Sequence, residues 1–74
     1  MNLVMHRVDS TSIELAGYDD MKQILAVKFH NGLMYHYLNV PQYVYNEFLN
    51  SPSLGTYINT HIKPQYEFVK IEPD

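Results

Sequence analysis

The stretch FHNGLMYHY, residues 29–37, decides the fold, because turn chemistry, strand pattern and aromatic content agree within it. Its Asn31-Gly32 pair is a strong signal for a β-hairpin turn. Residues 23–29 lead into the turn and are rich in β-branched and aromatic types, with apolar side chains at every second position from Leu25 to Phe29. The stretch therefore predicts two antiparallel strands joined by a tight turn.

Two hairpin registers are compatible with this turn, a two-residue turn and a three-residue loop with Gly32 in the left-handed conformation. The three-residue loop pairs Val27 with Tyr35 and Leu25 with Tyr37. Directly paired residues share a face of the sheet, so only this register brings the apolar residues of both strands together. A slip by one residue sends the apolar set of a strand to the wrong face, and we therefore favour the three-residue loop.

Two short helices are predicted after the hairpin. Pro41 suits the first helical position, where its missing N–H has no partner to lose, and the first helix is expected over residues 41–49. The second is expected from about residue 52 to residue 61 and ends before a proline. Gly55 lies inside it, which indicates either the close approach of another backbone or a helix that begins after the glycine.

Three further segments show weaker strand patterns. Residues 3–8 form a candidate first strand, and Ile13 and Leu15 share one face of a candidate second strand. Residues 66–71 alternate as an edge strand or an ordered tail.

Together these segments predict an α+β fold, an antiparallel meander of three to four strands followed by two short helices packed on one face. The chain is expected to form a single domain over residues 1–74, best supported for residues 9–66, with residues 67–74 as an edge strand or tail. The predicted core residues are Ile13, Leu15, Leu25, Val27, Phe29, Tyr35, Tyr37, Val44, Phe48, Leu54, Ile58 and Ile62.

The composition bounds the class of protein. With 46% apolar or aromatic and 18% charged residues, the chain is outside the disordered class. The absence of cysteine, and of any apolar run like that of a signal peptide, predicts a cytoplasmic location and no membrane span. A net charge of −3 argues against a dedicated double-stranded nucleic-acid binder, which is usually basic.

The order of motifs resembles the KTSC domain family, short bacterial domains found alone or at the C-terminus of some lysyl-tRNA synthetases. The resemblance rests on Ser10-Thr11-Ser12-Ile13, Gly17-Tyr18-Asp19, Tyr35-x-Tyr37, Val40-Pro41 and Ser53-x-Gly55-x-Tyr57-x-Asn59. It spans roughly residues 10–66 and implies an α+β domain for which RNA binding has been suggested. Two positions that are often basic in the family hold His36 and Thr56 in this chain.

The tyrosine-rich sheet and the resemblance together supply a set of candidate ligand-binding residues. Exposed tyrosines on a sheet stack on unpaired bases, whereas the favoured hairpin register instead packs Tyr35 and Tyr37 under the helices. Tyr57 and Asn59 are candidates for a polar patch on the second helix, or for groove packing and turn capping. The candidates are Tyr18, Tyr35, His36, Tyr37, Tyr57, Asn59 and Lys63.

Neither metal binding nor catalysis is predicted. No two of the four histidines are closer than six positions, there is no cysteine, and no serine has the context of an activated nucleophile. A domain this small is also expected to leave little room for a ligand pocket. We therefore expect no metal, no cofactor and no enzymatic activity.

Two hypotheses for function remain. The first is a binding module for single-stranded or tRNA-like RNA, on the basis of the resemblance and the tyrosines. The second is a protein-interaction module, including self-association as a homodimer, on the basis of the acidic balance and the strand-like C-terminal segment. Clustering of Arg7, Lys22, Lys28, Lys63 and Lys70 around exposed tyrosines favours RNA, and scattered cations with exposed apolar residues favour a protein partner.

Overall fold

A five-stranded antiparallel sheet with two helices on one face forms the domain in the computed structural model, which describes residues 3–72. Met1, Asn2, Pro73 and Asp74 lie outside the described residues, and so does that part of the predicted tail. The elements in chain order are β1 Met5–Arg7, β2 Ile13–Asp19, β3 Ile24–Phe29, β4 Met34–Tyr37, α1 Gln42–Asn50, α2 Leu54–Tyr57 with a π-helical continuation Ile58–Ile62, and β5 Phe68–Ile71.

The strands lie side by side in chain order, so the predicted α+β meander is confirmed. The sheet has five strands, one more than the largest number expected, because both weak terminal segments pair. Residues 5–7 pair with β2, and residues 68–71 return after the helices to pair with β4. Of the two alternatives for the C-terminal segment, the edge strand is the one observed.

The hairpin adopts the predicted three-residue loop. Val27 pairs with Tyr35 and Leu25 pairs with Tyr37. The Gly32 N–H donates to the Phe29 carbonyl at 2.9 Å, and Gly32 has a φ of +92°, the left-handed conformation that a side chain would strain.

A β-bulge in β2 overturns the prediction that Ile13 and Leu15 share a face. Ile13 pairs with Phe29 and Leu15 pairs with Lys28, so Glu14 is the extra residue. The bulge turns Leu15 onto the face of the sheet opposite the helices, and its side chain is only half-buried there.

The core lies between the sheet and the helices. Each predicted helix is present, with its boundaries shifted by one or two residues, and Leu54, Ile58 and Ile62 are all buried. Gly55 is the point of close approach, although the neighbour is a side chain: a Cβ there would stand 2.9 Å from the Ser12 Oγ. The buried hydrophobic residues are Ile13, Ala16, Leu25, Ala26, Val27, Tyr37, Val40, Val44, Phe48, Leu54, Ile58 and Ile62. Phe29 and Tyr35, also predicted for the core, are half-buried against it.

Within residues 3–72, neither helix has the length and apolar character needed to cross a bilayer.

Candidate functional site

The candidate residues on the sheet do not form one surface. Tyr37 is 1% exposed and belongs to the core, so its ring is not available to stack on a base. Tyr35 is half-buried on the same face, with its ring edge-on to Phe68 at 5.4 Å. His36 lies between the two tyrosines and therefore points to the opposite face, which we call the open face.

Tyr18 has a structural role at the end of the sheet near the helices. Its hydroxyl donates to the Val40 carbonyl at 2.6 Å, and its ring stacks on Tyr45 at 5.0 Å. Burial, followed by the nearby Asp20 and Asp19 carboxylates, raises the pKa of Tyr18. The hydroxyl thus fastens β2 to the loop that leads into α1.

The helical candidates share one segment, but Tyr57 and Asn59, two positions apart, lie on different sides of it. Tyr57, Asn59 and Lys63 all lie along one helical segment, and the exposed pair Asn59 and Lys63 is spaced i, i+4. The Tyr57 ring contacts the ring of His61 at 4.7 Å, and its hydroxyl donates to the Glu47 carboxylate at 3.1 Å. Burial and this hydrogen bond raise the pKa of Tyr57. We call residues 57–63 the aromatic helix segment.

The positive charges are distributed over the molecule. Within the described residues, Arg7 and Lys28 belong to the open face by their pairing with Leu15, whereas Lys70 pairs with Tyr35 on the helix-covered side. Lys28 lies 3.8 Å from the Glu14 carboxylate and Lys70 lies 4.0 Å from that of Glu72. These charges are therefore scattered and partly neutralised.

His36 has a buried nitrogen on the open face. Its Nε2 has no hydrogen-bond partner among the described residues, and its strand neighbours on either side are Ala26 and Val69. Burial lowers the pKa of His36, because the apolar surroundings disfavour the charged ring.

This burial predicts an acid-dependent loss of stability. The folded protein binds a proton at His36 less readily than the unfolded chain, whose ordinary histidine pKa is 6.5. The stabilising contribution is therefore present above pH 6.5 and is lost as the pH falls through 6.5 toward the lowered folded value. Urea unfolding of wild type and His36→Gln at pH 8 and pH 5 should show a smaller loss in the variant, and equal losses would contradict this account.

Two adjoining cavities lie where the β1–β2 loop meets the start of α2. The larger, of about 420 Å³, contradicts the expectation of little room for a pocket. Its polar side chains are mostly engaged locally, since the Ser10 Oγ accepts two backbone N–H groups and the Ser51 Oγ donates to the Phe48 carbonyl. The linings share Ser51, Pro52 and Ser53, and the smaller cavity, of about 200 Å³, reaches Tyr57 and His61.

Asp19, part of the Gly17-Tyr18-Asp19 motif, has a structural role in a turn. The buried Asp19 carboxylate accepts the N–H groups of Met21 and Lys22 at 3.0 and 3.1 Å, which closes the β2–β3 turn. Over residues 3–72, no three His, Cys, Asp or Glu side chains are grouped so as to hold a metal ion.

The outer edge of β5 was not among the candidate sites. The Leu38 N–H donates to the Glu67 carbonyl at 2.8 Å, so Leu38 and Glu67 form a hydrogen-bonded pair. The next pair along the ladder is Tyr37 with Phe68, and Tyr35 pairs with Lys70 two residues further on. Hydrogen-bonded pairs alternate along an antiparallel ladder, so the N–H and C=O groups of Phe68 and Lys70 point away from β4. Among the described residues no strand covers this edge, since β5 is the last strand of the sheet.

Apolar side chains flank this edge on both sides. Phe68 is 57% exposed on the helix-covered side, and Val69 is 48% exposed on the open face. The alternation of side chains in residues 66–71 predicts a strand, but only its pairing with β4 shows which backbone groups point outward.

The comparisons with known proteins agree on one family. A family model described as the KTSC domain matches residues 9–66. A protein from Tsukamurella paurometabola is 40% identical over 67 residues, which cover 90% of this chain and 100% of that protein. The crystal structure of a KTSC domain protein from Yersinia pestis superimposes with a TM-score of 0.89 at 29% identity, over 96% of this chain and 100% of the other.

The same domain occurs within a much larger protein. A lysine–tRNA ligase from Nostoc punctiforme is 30% identical over 63 residues, which are 85% of this chain but 11% of the ligase. The match corresponds to the C-terminal part of lysyl-tRNA ligases, as the sequence resemblance implied.

Proposed function

This chain belongs to the KTSC domain family, and we propose that it is a non-enzymatic protein-interaction module that accepts an additional β-strand along the outer edge of β5. The observation that carries the proposal is the combination of outward-pointing backbone groups with exposed apolar side chains at Phe68 and Val69.

Strand addition uses both features of this edge. Backbone hydrogen bonds to the edge supply affinity, and alternate side chains of the added strand provide specificity. An added strand would hydrogen-bond to the N–H and C=O groups of Phe68 and Lys70. Its side chains would contact the Phe68 side chain on the helix-covered face of the sheet and the Val69 side chain on the open face. The opposite edge of the sheet is less suitable, because β1 has three residues and presents His6 and Arg7 exposed.

The experiment is a selection from a displayed library of random dodecapeptides, followed by amide-shift mapping of the bound peptides. We expect the largest shifts at Phe68 and Lys70, whose N–H groups would become hydrogen-bonded. Lys70→Pro removes one outward N–H and leaves the β4–β5 hydrogen bonds intact, since that N–H does not point toward β4. It should weaken peptide binding about tenfold, the cost of a lost hydrogen bond at the upper end of the usual range.

Lys70→Gln is the matched control, because it removes the charge but keeps the backbone N–H. It should bind the selected peptides as wild type does. Peptides that shift the aromatic helix segment instead of β5, or that bind Lys70→Pro and wild type equally, would contradict the proposal.

RNA binding is the second candidate function, and it is favoured by the aromatic helix segment. Tyr57 and His61 provide aromatic rings, and Asn59 and Lys63 provide an amide and a cation on the same segment. Such groups stack on and hydrogen-bond unpaired bases. The occurrence of the domain in a lysine–tRNA ligase adds to this candidate, whereas the scattered and paired cations place it second.

Titration of the labelled protein with bulk tRNA and a short mixed RNA, each at two salt concentrations, distinguishes the two candidates. Shifts at residues 57–63 that weaken as the salt concentration rises would support RNA and count against β5 as the main binding surface. Absence of shifts at low salt with excess RNA would exclude the second candidate.

A further inference from the structure

We infer that the strand added to β5 is β5 of a second copy of this chain, paired antiparallel about a two-fold axis through Val69. The inference rests on the proposed function and names the partner for that edge. The product is a continuous ten-stranded sheet, since each copy contributes five strands, with the helices of both copies on the same face.

Symmetry restricts the registers available to such a pair. A two-fold axis between identical antiparallel strands must run perpendicular to the sheet, and directly opposed residues must share a face. Since side chains alternate along a strand, this condition is met only when the axis passes midway between two copies of the same residue, which face each other across it. For the four-residue β5, only registers centred on Val69 or Lys70 oppose three or more strand residues.

The side chains distinguish these two registers. A register centred on Lys70 places two lysines directly opposite each other, which is destabilising. A register centred on Val69 places valine against valine and Phe68 against Lys70 of the second copy. That second contact suits a cation over an aromatic ring, and the apolar stem of the lysine can cover the exposed ring of Phe68.

The backbone is also suited to the Val69 register. Phe68 and Lys70 carry the outward N–H and C=O groups, so their cross-strand pair exchanges both of its hydrogen bonds. The pair occurs twice by symmetry, which adds about four backbone hydrogen bonds. The two Val69 residues then form a non-hydrogen-bonded pair, the type in which opposed side chains are closest. Their side chains meet on the open face of the combined sheet.

The edge is therefore self-complementary in register, side-chain contact and backbone hydrogen bonding, and these features favour a second copy as the occupant. The interface is small, and each copy carries a net charge of −3, so the dimer should be weak and concentration-dependent.

Single-cysteine variants test the register directly, since the chain has no cysteine of its own. In the Val69 register the two Val69 Cα atoms lie at a distance that a disulfide spans. Under mild oxidation Val69→Cys should form a covalent dimer at least about tenfold faster than Lys70→Cys. Met21→Cys, at a residue 77% exposed in the β2–β3 turn, measures random collision.

Equal rates for the three variants, or faster cross-linking of Lys70→Cys, would overturn the inference. Sedimentation velocity over a range of concentrations provides a second measurement on the unmodified chain. Wild type should shift toward a dimer as the concentration rises, Lys70→Gln should do so at a higher concentration because it loses the cation over Phe68, and Lys70→Pro should remain monomeric. A dimer that persists in Lys70→Pro would place the interface elsewhere and overturn the inference.

The failure of this inference can be told apart from the failure of the proposed function. If selected peptides shift Phe68 and Lys70 while Val69→Cys does not cross-link faster than Met21→Cys, the second copy is excluded and strand addition stands. If neither peptides nor a second copy engages the edge, both are excluded.

Discussion

Replacing Tyr37 by alanine should destabilise the domain by about 3–5 kcal/mol, the usual cost of truncating a fully buried aromatic side chain. Tyr37 is 1% exposed, pairs with Leu25, and its ring lies 6.3 Å from that of Tyr35 and 6.1 Å from that of Phe68. A domain of this size has only a few kcal/mol of stability in total, so the variant should be largely unfolded at 25 °C. Urea unfolding followed by circular dichroism measures the loss.

Tyr37→Phe is the control for this prediction, because it keeps the ring and removes only the hydroxyl. It should fold with a stability much closer to that of wild type. A Tyr37→Ala protein that remains folded, with a loss below about 1 kcal/mol, would show that the ring is not part of the core.

The Tyr-x-Tyr motif illustrates how far local patterns determine this structure. The hairpin could be predicted because the turn residues and the alternation lie within one short stretch and agree. The same register that placed Tyr35 and Tyr37 on the apolar face also separates them from His36, because neighbours on a strand point to opposite sides. A single surface that uses all three residues was therefore not available, although each was a candidate ligand residue.

Elements that depend on distant partners were less predictable. The bulge in β2 exists only in relation to β3, where Ile13 pairs with Phe29 and Leu15 with Lys28, and nothing local to β2 signals it. Likewise, the alternation in β5 predicted a strand but not its partner, and the outward backbone groups follow only from the pairing with β4.

Spacing along one helix relates only part of the candidate set. Asn59 and Lys63 share one side of a single helical segment because they are spaced i, i+4, whereas Tyr57, two positions before Asn59, lies on another side beside His61. Tyr18 was drawn into the set by the resemblance, and its contact with the Val40 carbonyl joins residues 22 positions apart. A hydrogen bond of that span cannot be read from a local pattern.

The position of β1 depends on a contact made by a glycine in β2. Gly17 pairs with Met5, and a Cβ built on Gly17 would overlap the Val4 carbonyl oxygen and stand 3.0 Å from the Met5 sulfur. The backbone oxygen has no side-chain torsion by which to move away, so relief requires a shift of the chain that leads into β1. The contact therefore makes glycine necessary at this position even though the local backbone is ordinary strand.

Gly17→Ala should consequently separate β1 from the sheet and destabilise the domain by about 1–3 kcal/mol, the usual cost of overpacking. The loss should be local: hydrogen exchange should accelerate in residues 5–7, while the β3–β4 hairpin keeps its protection. Gly32→Ala is the matched control, since nothing lies within 4 Å of a Cβ there but φ is +92°. It should cost about 1–2 kcal/mol through backbone strain, without selective loss of protection in β1. Uniform loss of protection in Gly17→Ala, or none in β1, would refute the role given to this contact.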